Sequence, residues 1–263
     1  MRESSSDQPA VSMSGVNVSF EGHDVLRQFD LQLAEGLVHG ILGRGGSGRT
    51  TLMRAAGTIL RPDSGTVSVF GVDVTTCTAR ELDEVRSFIG FQFQNLALFD
   101  SMSVLDNVLF SLTGGEPENA TDADRNAALA ALEGIGLAKA RHKLVQQLSG
   151  GMQRRLAIAR ALAPPRARLL FFDDPAGGLD PVSASSMLRF VTSRHSGAGG
   201  RTLVISGHDT RAMLENCHLL HVLHNGRIAF SGTPEQAISC RDAAVASILN
   251  GNRTTRRVTS GMA

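Results

Sequence analysis

A glycine-rich segment in the first fifth of the chain has the residue types of a phosphate-binding loop. It reads GRGGSGRTT over residues 43–51. Glycines allow backbone N–H groups to turn inward, and the N-terminus of a following helix adds partial positive charge for a triphosphate. The spacing fits such a loop, although Arg49 occupies the position of the usual lysine. The predicted nucleotide-binding residues here are Gly43, Arg44, Gly45, Gly46, Ser47, Gly48, Arg49, Thr50 and Thr51.

Two adjacent carboxylates follow a wholly apolar stretch further along the chain. Residues 169–174 read LLFFDD, which predicts a buried strand followed by Asp173 and Asp174. Ligands of α/β sheets bind at the carboxyl ends of strands. One carboxylate can hold Mg²⁺ while its neighbour orients or deprotonates an attacking water. Without the phosphate loop upstream, a solvated acidic turn would be the better interpretation.

Alternating strand and helix signals would position these groups. Apolar, β-branched and aromatic runs indicate strands, and capped or alanine-rich stretches indicate helices. A strand before the phosphate loop and a helix after it supply the context that such a loop requires. The predicted strands are 16–20, 31–33, 38–42, 66–70, 88–93, 169–172, 203–206, 218–223 and 227–231, and the predicted helices are 50–60, 79–86, 122–133, 150–163 and 184–193.

Composition excludes several classes of protein. The chain has 263 residues, of which 42% are hydrophobic, so disorder throughout is excluded. A formal charge of +1 gives no general attraction to nucleic acid. No apolar run approaches the roughly 18 residues that span a bilayer, and the polar first ten residues lack a secretion signal. Three cysteines without a CxxC pair are typical of reduced thiols in a cytosol, and only Lys139 and Lys143 of the 26 basic residues are lysines.

A third motif indicates the family. Residues 148–162 read LSGGMQRRLAIARAL and resemble the LSGGQ signature and following helix of ATP-binding cassette (ABC) ATPases. The resemblance extends over about residues 11–251. It includes a glutamine loop at 89–94, a D-loop at 177–181, a switch-histidine loop at 205–209 and, at Phe20, an aromatic that stacks on adenine.

The resemblance implies an α/β architecture with three parts. These are a P-loop NTPase core of the ABC-type, RecA-like kind, an antiparallel β subdomain and an α-helical signature subdomain. The ATPase domain is expected over 11–251, with the helical subdomain at about 95–160. Residues 1–10 are expected to be a disordered N-terminus and residues 252–263 a flexible tail.

The resemblance also implies residue roles. In this family two ATPase domains face head to tail, and each ATP lies between the phosphate loop of one and the signature of the other. The implied cofactors are ATP and Mg²⁺. The implied partners are a second ABC ATPase domain and integral membrane permease subunits, at the cytoplasmic face of the inner membrane, with no nucleic acid. The implied residues are Thr50, Gln94 and Asp173 for Mg²⁺, Asp174, His208 and Gln94 for catalysis, Ser149, Gly150, Gly151 and Met152 for the partner's ATP, and Asp180 in the D-loop.

Two departures from the family pattern fall in the same half of the site. Arg49 replaces a compact ammonium by a longer planar fork, and Asp174 stands where the family has a catalytic glutamate that is one methylene longer. We therefore expect this chain to bind ATP but to hydrolyse it poorly at its own phosphate loop. The intact signature favours a heterodimer, in which it would complete a partner's site; slow homodimeric turnover and a non-hydrolysing regulatory role remain alternatives.

Weaker cues concern the cargo. Residues 96–108, the LSGGM form of the signature and residues 247–251 resemble Mla or Mce-type lipid transport ATPases. The alternative is a cytosolic ABC-type regulatory or assembly module without a permease.

A metal site at Cys217, His218, His221 and His224 is disfavoured, because strand alternation places His221 on the opposite face from the other two histidines. Gln92, on the same predicted strand face as Gln94, is disfavoured as the sensor by the family pattern.

The arginines near the signature are interpreted as helix-surface and interdomain contacts rather than as a nucleic-acid patch. They are Arg154, Arg155, Arg160, Arg166 and Arg168.

Overall fold

Two β-sheets form the centre of the protein, for which the computed structural model describes residues 8–193 and 200–250. A four-stranded antiparallel sheet has the order β2-β1-β4-β5, and a six-stranded sheet has the order β10-β9-β3-β8-β7-β6. The second sheet is parallel except for β10. The strands are β1 Pro9–Phe20, β2 His23–Ala34, β3 Val38–Gly43, β4 Ser64–Val69, β5 Val72–Asp73, β6 Ile89–Gln92, β7 Leu169–Asp173, β8 Thr202–Gly207, β9 Leu219–His224 and β10 Arg227–Gly232.

Helices cover the parallel sheet and form a separate cluster at 104–162. Within this cluster α3, α4 and α5 share one apolar core that includes Leu109, Leu132 and Leu156. This cluster overlaps the stretch of about 95–160 in which the helical subdomain is expected. The helices are α1 Arg49–Ala56, α2 Ala79–Arg86, α3 Val104–Leu112, α4 Asp122–Gly134, α5 Gly150–Leu162, α6 Pro181–Thr192, α7 Thr210–Asn216, α8 Pro234–Ser239 and α9 Ala243–Asn250.

The central strands are buried on both faces, as their unbroken apolar sequences predict. Phe171 and Phe172 on β7 point to opposite faces and are completely buried. Phe171 packs in the core that α1 shares with the antiparallel sheet, and Phe172 packs in the core beneath α6 and α7. The parallel sheet is therefore the middle of three layers.

Several element boundaries differ from the expected ones. β1 begins at Pro9, and Ala10 is completely buried. The expectation that residues 1–10 are disordered is therefore wrong for Pro9 and Ala10. Residues 1–7 and the predicted tail at 252–263 lie outside the described residues. Helix α1 ends at Ala56 rather than at residue 60, because the backbone turns left-handed at Thr58, with φ of 61°.

A buried histidine pair lies beneath the phosphate-loop strand. His39 on β3 and His221 on β9 are stacked, and His39 Nδ1 lies 3.1 Å from His221 Nε2. The outer nitrogens bond to Ala34 O at 2.9 Å and to Ser231 Oγ at 2.9 Å. Burial lowers the pKa of His39 to about 4 and that of His221 to about 3. Both imidazoles are therefore neutral near pH 7, and His221 is engaged by the core rather than by a metal.

We predict that acid destabilises the fold through this pair. Both pKa values lie below the unfolded value of about 6.5, so the contribution is complete above that pH and is lost as pH falls toward about 4. As the pH falls through that window, protonation of each histidine lowers the free energy of unfolding by roughly 1.4 kcal/mol per pH unit. Urea unfolding between pH 7 and 4 measures the slope. His39→Asn with His221→Asn should flatten it, whereas a change at the exposed His142 that flattened it equally would contradict this origin.

Candidate nucleotide site

The phosphate loop connects the carboxyl end of β3 to the N-terminus of α1. Gly46 and Gly48 have φ of 74° and 101°, and a Cβ on Gly48 would meet Val25 O at 3.1 Å. The N-cap of α1 is Gly48, which has no side chain to bond to the first turn, and that turn holds no acidic residue. Ser47 Oγ is buried without a hydrogen-bond partner among the described residues. Uncapped backbone N–H groups and an unsatisfied hydroxyl suit a bound phosphate group.

Arg49 is bonded to two backbone carbonyls at the base of this loop. Its Nη1 donates to Gly43 O and, at 2.7 Å, to Gly207 O. Burial lowers the Arg49 pKa, and the charges of Asp174 and Asp173 oppose that shift. The guanidinium therefore joins the phosphate loop to the end of β8. A phosphate oxygen has to compete with these two carbonyls for the Nη1 hydrogens, whereas neither carbonyl uses the Nη2 and Nε donors.

The two carboxylates lie at the end of β7 in different environments. Asp173 is 3% exposed, and its Oδ1 accepts a hydrogen bond from Ser206 Oγ at 2.6 Å. The same hydroxyl accepts one from Asp174 N at 3.0 Å. Asp174 Oδ1 lies 3.6 Å from His208 Nδ1. The structure thus brings Arg49, both carboxylates and the switch histidine into one group at the carboxyl ends of adjacent strands.

Gly177 allows the Asp174 carboxylate to approach the D-loop backbone. A Cβ at Gly177 would lie 2.4 Å from Asp174 Oδ2. Asp174 itself has φ of 49°, in the left-handed region that Asp tolerates better than most residues. The short side chain is therefore held between His208 and the D-loop.

Thr50, Gln94 and Phe20, the other residues expected at the nucleotide, differ in position and exposure. Thr50 is half-buried in the first turn of α1, and Phe20 is 48% exposed at the end of β1. Strand β6 ends at Gln92, so Gln94 is not on the strand. Gln92 is completely buried and donates to Phe93 O, whereas Gln94 is exposed. Of the two glutamines, Gln94 is thus the one that a ligand can reach.

The signature and the D-loop each begin a helix. Ser149 caps α5 and accepts a hydrogen bond from Met152 N at 3.4 Å, while Asp180 caps α6. Ser149, Gly150 and Gly151 are exposed. Within the described residues no hydrogen bond joins them to the phosphate loop of the same chain.

Two residues at this site have roles that the sequence reasoning missed. Ser206 holds Asp173, and Arg154 Nη1 on α5 donates to Pro175 O at 3.2 Å and to Asp174 O at 3.5 Å. A serine at the end of the apolar run 203–205 is the signal that could have indicated Ser206. For Arg154, the expected helix-surface or interdomain contact is one between α5 and the loop after β7.

Comparison with known proteins decides the family. Residues 26–177 match the family model described as ABC transporter. The chain is 34% identical over 239 residues to the intermembrane phospholipid transport system ATP-binding protein MlaF of Haemophilus influenzae, covering 89% of each chain. This chain belongs to the ABC transporter family. The predicted family is therefore confirmed.

Other members of the ABC transporter family match nearly as well. The chain is 35% identical over 232 residues to the L-cystine transport system ATP-binding protein TcyN of Escherichia coli, covering 85% of this chain and 90% of that protein. The dimeric structure of MJ0796, a bacterial ABC transporter cassette, superposes with a TM-score of 0.77 at 26% identity, covering 85% and 98% of the two chains.

Membership of the ABC transporter family confirms the predicted α/β, P-loop NTPase fold class. Its ATPase members bind ATP, generally with Mg²⁺, and hydrolyse it. ABC cassettes dimerise and work with membrane permease subunits. None of the helices in the described part of the chain is long and apolar enough to span a bilayer.

We predict that Ser206→Ala destabilises the protein by about 1–3 kcal/mol, because it leaves the buried Asp173 carboxylate and the Asp174 amide each without a partner. Chemical denaturation measures the change. Ser239→Ala removes a hydroxyl from the exposed α8 and should change stability by less than about 0.5 kcal/mol. Equal losses in the two variants would show that Ser206 has no special structural role.

Proposed function

We propose that this chain is the ATP-binding subunit of an ABC transporter and drives a separate integral membrane permease from the cytoplasmic face. The observation that carries this proposal is the grouping of Arg49, Asp173, Asp174 and His208 at one edge of the parallel sheet. Ligands of such sheets bind at that edge.

The residues present fit ATP with Mg²⁺. The uncapped N-terminus of α1 and the turned glycines suit the phosphates, and exposed Phe20 suits the adenine. Thr50, Asp173 and Gln94 would hold Mg²⁺, which when bound neutralises charge on the phosphates. Ser206 fixes the orientation of Asp173, and His208 would contact the γ-phosphate. Ser149, Gly150, Gly151 and Met152 would bind the ATP of a partner, and Asp180 would lie at the same dimer interface.

The proposed cargo is phospholipid. The similarity to MlaF and the MlaF-like features at 96–108, in the LSGGM signature and at 247–251 support it. The comparable similarity to a cystine system means that overall identity alone does not select the cargo. An ATPase domain has no contact with cargo, so the partner permease is the decisive evidence.

We further propose that hydrolysis at the chain's own phosphate loop is slow. Arg49 is bonded to Gly43 O and Gly207 O, and the Asp174 carboxylate is held near His208 and Gly177. Loss of one preorganised donor typically lowers turnover by about 10²–10³-fold, and a displacement of about 1 Å can lower it about 10²-fold. The exposed, correctly capped signature remains able to complete the site of a related chain, which supports a heterodimer.

Affinity purification of the tagged chain from its own membranes tests the transporter assignment. We expect two kinds of partner, an integral membrane permease and a second ATPase chain of the same family. Phospholipid should co-purify with the permease. Capture of no membrane subunit would favour the alternative, a cytosolic regulatory or assembly module, and capture of only this ATPase chain would exclude the heterodimer.

We predict that Arg49→Lys and Asp174→Glu together raise ATP turnover about 10²-fold or more above that of the unaltered chain. Each single change should give a smaller gain, because both groups act on the same phosphate. Turnover is measured by phosphate release from the purified chain. The control is Lys139→Arg, the opposite change at a surface position, which tests whether an exchange between lysine and arginine outside the site alters turnover. Ordinary turnover of the unaltered chain, near about 10 s⁻¹ with no gain in the double variant, would disprove the impaired site.

A further inference from the structure

Arg160, near the C-terminal end of α5, is a buried cation held by carbonyls. The residue is 8% exposed, and its guanidinium donates to Ala97 O at 2.6 Å and to Leu96 O at 3.1 Å. It also lies 5.6 Å from the centroid of the Phe99 ring. Within the described residues no carboxylate lies within 4.0 Å of it. Burying a cation without a counter-ion is costly, so packing alone does not account for an arginine here.

The backbone that Arg160 contacts has an unfavourable conformation. Leu96 and Ala97 have φ of 63° and 48°, so two successive residues with side chains adopt the left-handed region. They follow Gln94 by two and three residues. Beyond them, Asn107 on α3 bonds to both Phe99 N and Phe99 O, at 2.9 Å and 3.1 Å. The segment after Gln94 is therefore fixed at two points, both on the helical subdomain.

The helix that carries Arg160 reaches both halves of the nucleotide site. The distance from Gly150 to Arg160 is about 15 Å along α5, at 1.5 Å per residue. Near its start, Arg154 bonds to the carbonyls of Asp174 and Pro175. A displacement of the signature end of α5 is therefore transmitted to the segment after Gln94 through a single rigid element.

We propose that Arg160 is a positioning residue that fixes the glutamine loop to the signature helix, so that the reach of Gln94 toward Mg²⁺ follows the position of α5. This inference rests on the proposed role of Gln94 at the ATP and Mg²⁺ site. Arg160 acts through Leu96 and Ala97, and its planar fork matches two successive carbonyls better than a single ammonium does.

Binding of a fluorescent ATP analogue to the full chain, in excess Mg²⁺ and in EDTA, tests this role. We expect Arg160→Met to weaken binding about tenfold in Mg²⁺, and far less in EDTA, because the loss concerns the metal. Arg160→Lys should fall between Arg160→Met and the unaltered chain. The matched control is Arg155→Met on the same helix, whose guanidinium bonds to Ile135 O within the helical subdomain, and it should give no Mg²⁺-specific loss. Arg160→Met should add nothing to Gln94→Ala.

Equal losses in Mg²⁺ and EDTA, or losses that add to those of Gln94→Ala, would overturn the inference. Hydrogen exchange without nucleotide separates it from the proposed function. The amides of Leu96 and Ala97, bonded to Phe93 O and Asn95 O, should exchange faster in Arg160→Met than in Arg155→Met. Unchanged exchange would disprove the anchoring, whereas faster exchange in a chain that does not bind the analogue would support the anchoring and contradict the proposed function.

Discussion

The parallel register of β3, β7 and β8 is the constraint on which the site depends. Leu42 pairs with Gly207, and Asp173 pairs with Ser206, so the three strands end at nearly the same level. Because chemical groups that follow each strand then meet at one edge, residues more than 150 positions apart become neighbours. A shift of register in β8 would separate Ser206 from Asp173 and Gly207 from Arg49. The hydrophobic clusters packed on both faces of these strands hold that register.

Electrostatics at that edge bear on Arg49, which stands where a phosphate loop usually has lysine. Burial lowers the Arg49 pKa, while the negative charges of Asp174 and Asp173 oppose that shift and stabilise a cation at this position. The guanidinium supplies a positive charge there and uses its Nη1 donors on two carbonyls. A lysine ammonium would keep the charge but concentrate its donors at one point. The substitution thus preserves the charge balance of the site and changes the geometry with which a phosphate can be bound.

The sequence predicted those elements whose signal is local. The apolar runs of β3, β7 and β8 and the capped, alanine-rich α4 lie close to their expected positions. β1 and β2 are longer than predicted, because bulges near Gly15 interrupt the alternation of apolar and polar residues. Helix α1 ends earlier than predicted because the backbone is left-handed at Thr58. Threonine does not indicate such a conformation, as a glycine at position 58 would have done. The contact of Ser206 with Asp173 depends on strand pairing across 33 residues, so a serine at the end of an apolar run indicates the residue but not its partner.

Long-range bonds to backbone carbonyls are the class of contact that residue types cannot predict. Arg49, Arg154 and Arg160 each donate to backbone carbonyls. Every residue has such a carbonyl, so the residue type does not indicate in which direction the carbonyl points. In this chain these three arginines join the phosphate loop to β8, the carboxylate loop to α5 and the glutamine loop to α5. Helix α5 therefore contacts two loops of the candidate site, while Ser149 and Gly150 at its N-terminus are exposed. In the proposed heterodimer, such a helix would couple the nucleotide state of this chain to the position of its signature, because positioning a loop does not require hydrolysis.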